Sequence, residues 1–201
     1  MEVKGMVKSD QTYRRVLYAL FAAIIIMQNF VPFLGYIPVG PLNLTIIHVT
    51  VIIAALTLGP SGGAVVGGVW GVITWVRAFV WPTSPLAAIV FVNPLVSVLP
   101  RILIGVVAGY VFAWLTNKMK KQYLAMGIAA LLGSLINTLL VLGQIYLFYN
   151  GHSQALYQID TKAMMPYIIG VVGTNGIPEA IIAAFVSPLI AKPLLKRVRK
   201  R

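Results

Sequence analysis

The chain has no cysteine among its 201 residues, only four acidic residues and only two histidines. Without cysteine there is no disulfide, no thiolate nucleophile and no cysteine metal site. His48 and His152 are too few to anchor a metal cluster, so no metal is expected. Four carboxylates do not supply paired acid–base chemistry inside a membrane. The chain also lacks a glycine-rich phosphate loop ending in Gly-Lys-Ser/Thr, a His-Glu-x-x-His motif and a Gly-x-Ser-x-Gly elbow. It is therefore expected not to be an enzyme, to have no catalytic residues and to need no cofactor of its own. Charge of either sign is scarce too: 10% of residues, where a soluble domain carries about 25%. A water-facing surface cannot be built from that supply.

What is present instead is apolar sequence, 59% of the chain, in runs that return along its whole length. Continuous runs exclude the alternating pattern of a membrane β-barrel and match helices that cross a bilayer, which need about 20 apolar residues each. The expected fold is an all-α integral membrane protein with six transmembrane helices in one domain over residues 1–201. The spans are placed at Val16–Leu34, Leu44–Leu58, Ala64–Trp81, Pro94–Leu115 and Leu124–Tyr149, with the sixth inside Met164–Leu195. The second is short, tilted or interrupted near Pro41. The polar residues 1–13 run into the first span with no small-residue cleavage site, so that span is read as uncleaved. The last apolar stretch is too long for one simple helix. Asn175 before Gly176-Ile177-Pro178 looks like a capped helix start, so the last helix is expected to begin near Asn175.

The net charge of +12 tests the count of spans. With six, both termini fall on one side together with the loop after span four. All but three of the sixteen basic residues then collect there, including Lys118, Lys120, Lys121 and the tail 196–201. Basic short loops stay cytoplasmic, so both termini are inside. The basic tail is read as a stop-transfer flank or lipid-headgroup contact, not as a nucleic-acid site.

Small residues let membrane helices approach closely. Gly63, Gly67 and Gly71 repeat every four residues on span three and Gly105 and Gly109 on span four; these are read as internal packing. Ala19 and Ala23 on span one have the same spacing and could contact another membrane subunit instead. Polar groups at membrane depth are the other signal, since they normally face a cavity or a partner. Arg77, Arg101 and Glu179 all fall in the outer half of the bilayer in this scheme. One acid against two bases suits a small anion such as a carboxylate, which arginine binds well. Asn137 and Gln144 share a face of span five, and Trp70, Thr74 and Arg77 a face of span three. Asn93 and Asn175 precede the fourth span and the last helix, and Asn43, Thr45 and His48 cluster at the start of span two. Each could also be a helix cap or interhelical hydrogen bond, and a Glu179–arginine pair could simply lock helices together.

Several segments resemble one family. Ala19-x-x-x-Ala23 lies on the first helix of a small, inside-basic membrane protein. Leu44 to Ile53 followed by Leu58-Gly59-Pro60, Asn93-Pro94-Leu95-Val96-Ser97-Val98-Leu99-Pro100-Arg101 through Gly105, and Asn175-Gly176-Ile177-Pro178-Glu179-Ala180 complete the pattern. Together they resemble the substrate-binding S component of energy-coupling factor (ECF) vitamin transporters, most of all the pantothenate-specific type. The resemblance implies capture of a vitamin from outside the cell. It also implies docking, through Ala19 and Ala23, onto a transmembrane coupling subunit carrying two cytoplasmic ATPases, which use the ATP. For pantothenate it implies Arg101 or Arg77 for the carboxylate, Asn93, Asn137, Gln144 and Asn175 for the polar groups, and Trp70 as an apolar wall. An S component for hydroxymethylpyrimidine, pyridoxine or folate is the alternative. So is a stand-alone secondary transporter, for which Glu179 would qualify as coupling residue only if the last helix began near Met164.

Overall fold

The computed structural model describes residues 2–31, 33–37, 44–83, 87–149 and 164–199. Pro41, Asn43, His152, Asp160 and Lys162 lie outside them. Helix α1 (Glu2–Phe30) is followed by two short antiparallel strands, β1 (Tyr36–Ile37) and β2 (Leu44–Thr45), with Tyr36 opposite Thr45. Then come α2 (Ile47–Leu58), α3 (Pro60–Val80), the single turns α4 (Ala87–Val90) and α5 (Pro94–Ser97), α6 (Leu99–Lys118) and α7 (Gln122–Tyr149). The last helical stretch comprises α8 (Met164–Val171), a π turn (Val172–Gly176) and α9 (Ile177–Arg199).

Four of these stretches are long and apolar enough to cross a membrane: Pro60–Val80, Pro94–Lys118, Gln122–Tyr149 and Ile168–Val198. Helix α2 is not. Its 12 residues make a rod about 18 Å long against a hydrocarbon core of about 30 Å. All twelve are buried. A helix that is apolar on every side belongs in the centre, and α2 is packed by α1, α3, α6, α7 and α9. Gly59 ends it at φ 87°, a conformation that side chains rarely adopt, and Pro60 starts α3 at once. Large apolar side chains such as Val80, Leu147 and Phe185 remain on the outside, as a lipid-facing surface requires.

The glycines of spans three and four pack internally, as their spacing implies. A Cβ on Gly63 would lie 2.7 Å from the Cα of Gly105. One on Gly67 would lie 2.0 Å from the carbonyl oxygen of Arg101, and one on Gly71 2.7 Å from the Cα of Val98. Helices α3 and α6 thus touch backbone to backbone, and that seam sets the position of Arg101.

One boundary differs from expectation. The last helix does not begin near Asn175: the chain is helical from Met164, and Asn175 lies inside the stretch. Pro178 has no N–H to donate and crowds the preceding turn. A widened turn absorbs that defect, with the backbone N–H of Ile177 reaching Val172. A helix-start pattern and a tolerated π turn use the same residues, Asn-Gly-x-Pro, so the pattern did not distinguish them.

Candidate functional site

The residues that concentrate polarity in the apolar core come from α2, α3, α6, α7 and the π turn. Arg101, in the first turn of α6, is 6% exposed and donates from Nη1 to the carbonyl of Val96 at 2.8 Å. Its guanidinium lies 5.0 Å from the ring centres of both Trp70 and Phe91. Two aromatic faces stabilise a cation there without neutralising it. Among the described residues, the Nε–H of Arg101 and the indole N–H of Trp70 are buried and have no partner. These are two orphan donors on the α3–α6 seam. Glu179 and the phenol of Tyr36 lie within electrostatic reach of the same guanidinium.

Helix α7 contributes acceptors. Asn137 Oδ1 and Gln144 Oε1 are buried without partners among the described residues, as is Ser134 Oγ. Two helical turns separate Asn137 from Gln144, about 10 Å along one face, the dimension of an elongated small molecule. His48, in the first turn of α2, is 1% exposed. Its Nε2 is placed to donate to the main-chain carbonyl of Glu179 at 3.3 Å, which leaves Nδ1 as an unpartnered acceptor. A buried polar atom without a partner costs about 1–3 kcal/mol. Each is an atom that a polar ligand group could satisfy.

Other candidates are already committed to the protein. Arg77 donates from Nη1 to the carbonyl of Asn29 and stacks on Phe30 and Tyr36, with ring centres at 5.5 and 5.8 Å, although its Nε–H is buried without a partner among the described residues. It therefore closes the end of α1. Asn93 caps α5, accepting from the N–H of Leu95 at 3.0 Å. Asn175 is buried in the π turn and accepts from the hydroxyl of Thr174 at 2.8 Å. The Glu179 carboxylate accepts from the N–H of Thr45 at 2.6 Å. It lies within electrostatic reach of Arg101. Ala19 and Ala23 sit on the exposed side of α1 with Val16, Leu20 and Met27.

Sequence reasoning did not single out Asn29, Tyr36, Phe91 or Ser134. Asn29 had a visible signal, a polar residue inside the first apolar run. Tyr36 and Phe91 had none, because their rings gain a role only from the arginines that folding brings over them. The described residues hold no group of three or more His, Asp or Glu placed to bind a metal ion.

The sequence profile of the substrate-specific component of ECF transporters matches residues 14–191. The pantothenate transporter PanT of Leuconostoc mesenteroides subsp. mesenteroides is 34% identical over 193 residues, covering 93% of this chain and 94% of that protein. The pantothenic acid transporter PanT of Lactococcus lactis subsp. cremoris is 30% identical over 204 residues, covering 95% and 97%. The fold is similar to the crystal structure of an S-component for biotin from an ECF-type ABC transporter. That match has a TM-score of 0.58 and 15% identity over 96% of this chain and 94% of the other, so it speaks for the fold alone. With the family profile spanning nearly the whole chain and four apolar helices able to cross a bilayer, this protein belongs to the substrate-specific S-component family of ECF transporters and is a multi-pass protein of the bacterial plasma membrane.

Proposed function

We propose that this S component captures pantothenate from outside the cell and delivers it by docking on the ECF coupling module. In this reading α1 and α2 are the remaining two of six membrane segments, α2 being too short to cross as helix alone, with both termini in the cytoplasm. The coupling module is a transmembrane subunit carrying two ATPases, and the exposed Ala19–Ala23 side of α1 meets that subunit. ATP is hydrolysed by those partners and this chain brings no cofactor.

The observation that carries the choice of ligand is the set of buried, unsatisfied atoms at Arg101 and Trp70 and on α2 and α7. The buried guanidinium of Arg101, 5.0 Å from the ring centres of Trp70 and Phe91, has an unpartnered Nε–H, and the indole N–H of Trp70 is unpartnered too. Together they suit a carboxylate. Asn137 Oδ1, Gln144 Oε1 and His48 Nδ1 are buried acceptors, which suit hydroxyl and amide N–H donors. Pantothenate carries one carboxylate, two hydroxyls and an amide N–H. Each of the two arginines considered for the carboxylate donates Nη1 to a backbone carbonyl and keeps a buried, unpartnered Nε–H; Arg101 is favoured because the ring of Trp70 that its guanidinium covers adds a second unpartnered donor. The names of the two PanT relatives support the same vitamin.

The test is a vitamin panel on the purified protein in detergent, by thermal shift and then calorimetry. Tight binding of pantothenate, reduced by on the order of 100-fold in Arg101→Ala, is the expected result. That factor corresponds to about 2.7 kcal/mol, the size of a charge-assisted hydrogen bond lost from a buried site. Tight binding of a pyrimidine, pyridoxine or folate instead would keep the family and refute the ligand.

One observation favours the secondary-transporter reading. With helix from Met164 onward, Glu179 lies inside the Ile168–Val198 stretch, where a coupling carboxylate would sit. Its acceptance of the Thr45 N–H gives it a structural task instead. Uptake that collapses with the proton gradient at constant ATP would revive that reading.

A further inference from the structure

The buried carboxylate of Glu179 is the charged group that the ligand scheme above leaves without a role. Its Oε1 accepts the backbone N–H of Thr45 in β2 at 2.6 Å. Its main-chain carbonyl oxygen receives the Nε2 of His48 at 3.3 Å. Those two partners flank the start of α2, whose N-cap residue, Ile46, provides no capping side chain. An anion at a helix N-terminus is favoured by the exposed N–H groups and the helix dipole. A charge-assisted hydrogen bond to backbone then explains why a carboxylate is retained in apolar surroundings.

The chain just before α2 is tied down from its other side as well. Tyr36 and Ile37 pair with Thr45 and Leu44, and the N–H of Ile46 reaches the carbonyl of Gly35 at 2.9 Å. Gly35 itself rests on the end of α1, where a Cβ would lie 2.1 Å from the carbonyl oxygen of Gln28. Tyr36 donates its hydroxyl to Asn29 Oδ1 at 3.2 Å, and Arg77 stacks on its ring. The two strands therefore form a ribbon fixed to α1 and α3 at β1 and to α9 at β2. Glu179 is the α9 attachment.

We propose that Glu179 is a positioning residue that anchors the β1–β2 ribbon and the N-terminus of α2 against α9, and does not touch the vitamin. Its removal loosens the ribbon and the first turn of α2, which carries His48, so that bound ligand leaves faster. Recognition of the ligand's carboxylate stays with Arg101. The anchor is read from contacts within this chain; only the ligand-release part rests on the function proposed above.

The experiment pairs hydrogen–deuterium exchange with ligand release. In Glu179→Ala, amides of residues 44–50 exchange on the order of tenfold faster or more, the equivalent of one lost charge-assisted bond. Glu179→Gln keeps an acceptor oxygen and stays near the wild-type rate. Release of the neutral alcohol pantothenol, which does not sense the charge that Glu179 places near Arg101, accelerates by the same factor in Glu179→Ala and stays near the wild-type rate in Glu179→Gln. A ligand-contacting carboxylate would instead speed release of the alcohol in Glu179→Gln as much as in Glu179→Ala, and that result overturns the proposal. So does unchanged exchange over 44–50 in folded Glu179→Ala. Should that variant fail to fold, Thr45→Pro removes the donor and leaves the carboxylate, with the same faster exchange expected over residues 46–50. A wild-type protein that binds neither pantothenate nor pantothenol would refute the pantothenate reading alone, because the exchange measurement needs no ligand.

Discussion

Alanine substitution along the α3 glycines converts packing geometry into a graded prediction. At Gly67 an added Cβ falls 2.0 Å from the carbonyl oxygen of Arg101, whereas ordinary contact begins at 3.4 Å. The obstacle is backbone, which cannot swing aside, so α3 and α6 must part locally by about 1.4 Å, the shortfall between those distances. At Gly71 the nearest atom is the Cα of Val98 at 2.7 Å, and the corresponding separation is about 0.7 Å. At Gly68, one residue from Gly67, the nearest atom is a flexible side-chain carbon of Ile102 at 3.7 Å. Overpacking of a tight interior costs about 1–3 kcal/mol, while alanine in a helix interior otherwise gains about 1 kcal/mol over glycine. Gly68→Ala should therefore match or slightly exceed the wild type in thermal stability, Gly71→Ala should fall below it, and Gly67→Ala should fall furthest. Because the displaced atom belongs to Arg101, Gly67→Ala should also weaken the vitamin by about tenfold or more, equivalent to 1.4 kcal/mol. Gly68→Ala should leave affinity unchanged. Unfolding in detergent with and without ligand, followed by calorimetry, gives both readings. If Gly67→Ala melts and binds like Gly68→Ala, the backbone seam does not position the guanidinium and the argument fails.

Other outcomes follow from the same structure. Leucine at both Ala19 and Ala23 should leave vitamin binding by the isolated protein intact and abolish its co-purification with the coupling module, because both side chains are exposed on α1. Loss of binding in the isolated double variant would place that face in the interior instead. Arg77→Ala should lower thermal stability by about 1.5–3 kcal/mol, the range for a lost hydrogen bond to a charged group, and speed exchange at residues 27–31. It should weaken acid and neutral alcohol ligands equally; selective loss of the acid would assign Arg77 to the carboxylate.

Much of the fold was legible in the chain itself. A membrane interior tolerates long apolar helices and rejects unpaired charge, so scarcity of charge and recurrence of apolar runs pointed to membrane helices before any contact was known. Glycine every four residues on α3 and α6 marked the seam in which those helices meet. The site was legible as a set of candidates, not as an arrangement. Arg77, Arg101 and Glu179 stood out because charge at membrane depth is rare, but residue type does not reveal which group is already bonded. Folding places Asn29 and Tyr36 against Arg77, the Thr45 amide against Glu179, and Trp70 and Phe91 against Arg101 with its Nε left unpartnered. The last helix shows the same limit, since Asn-Gly-x-Pro is compatible with a helix start and with a π turn, and the choice rests on what packs around it. Here Gly176 lies against Thr138 of α7, where a Cβ would fall 2.8 Å from its methyl carbon. Sequence alone determined the solvent in which this protein folds and the polar residues it carries there, because transfer free energy belongs to each residue type. Tertiary structure decided which of those polar groups remain unsatisfied, because hydrogen bonds depend on atoms brought together from distant parts of the chain.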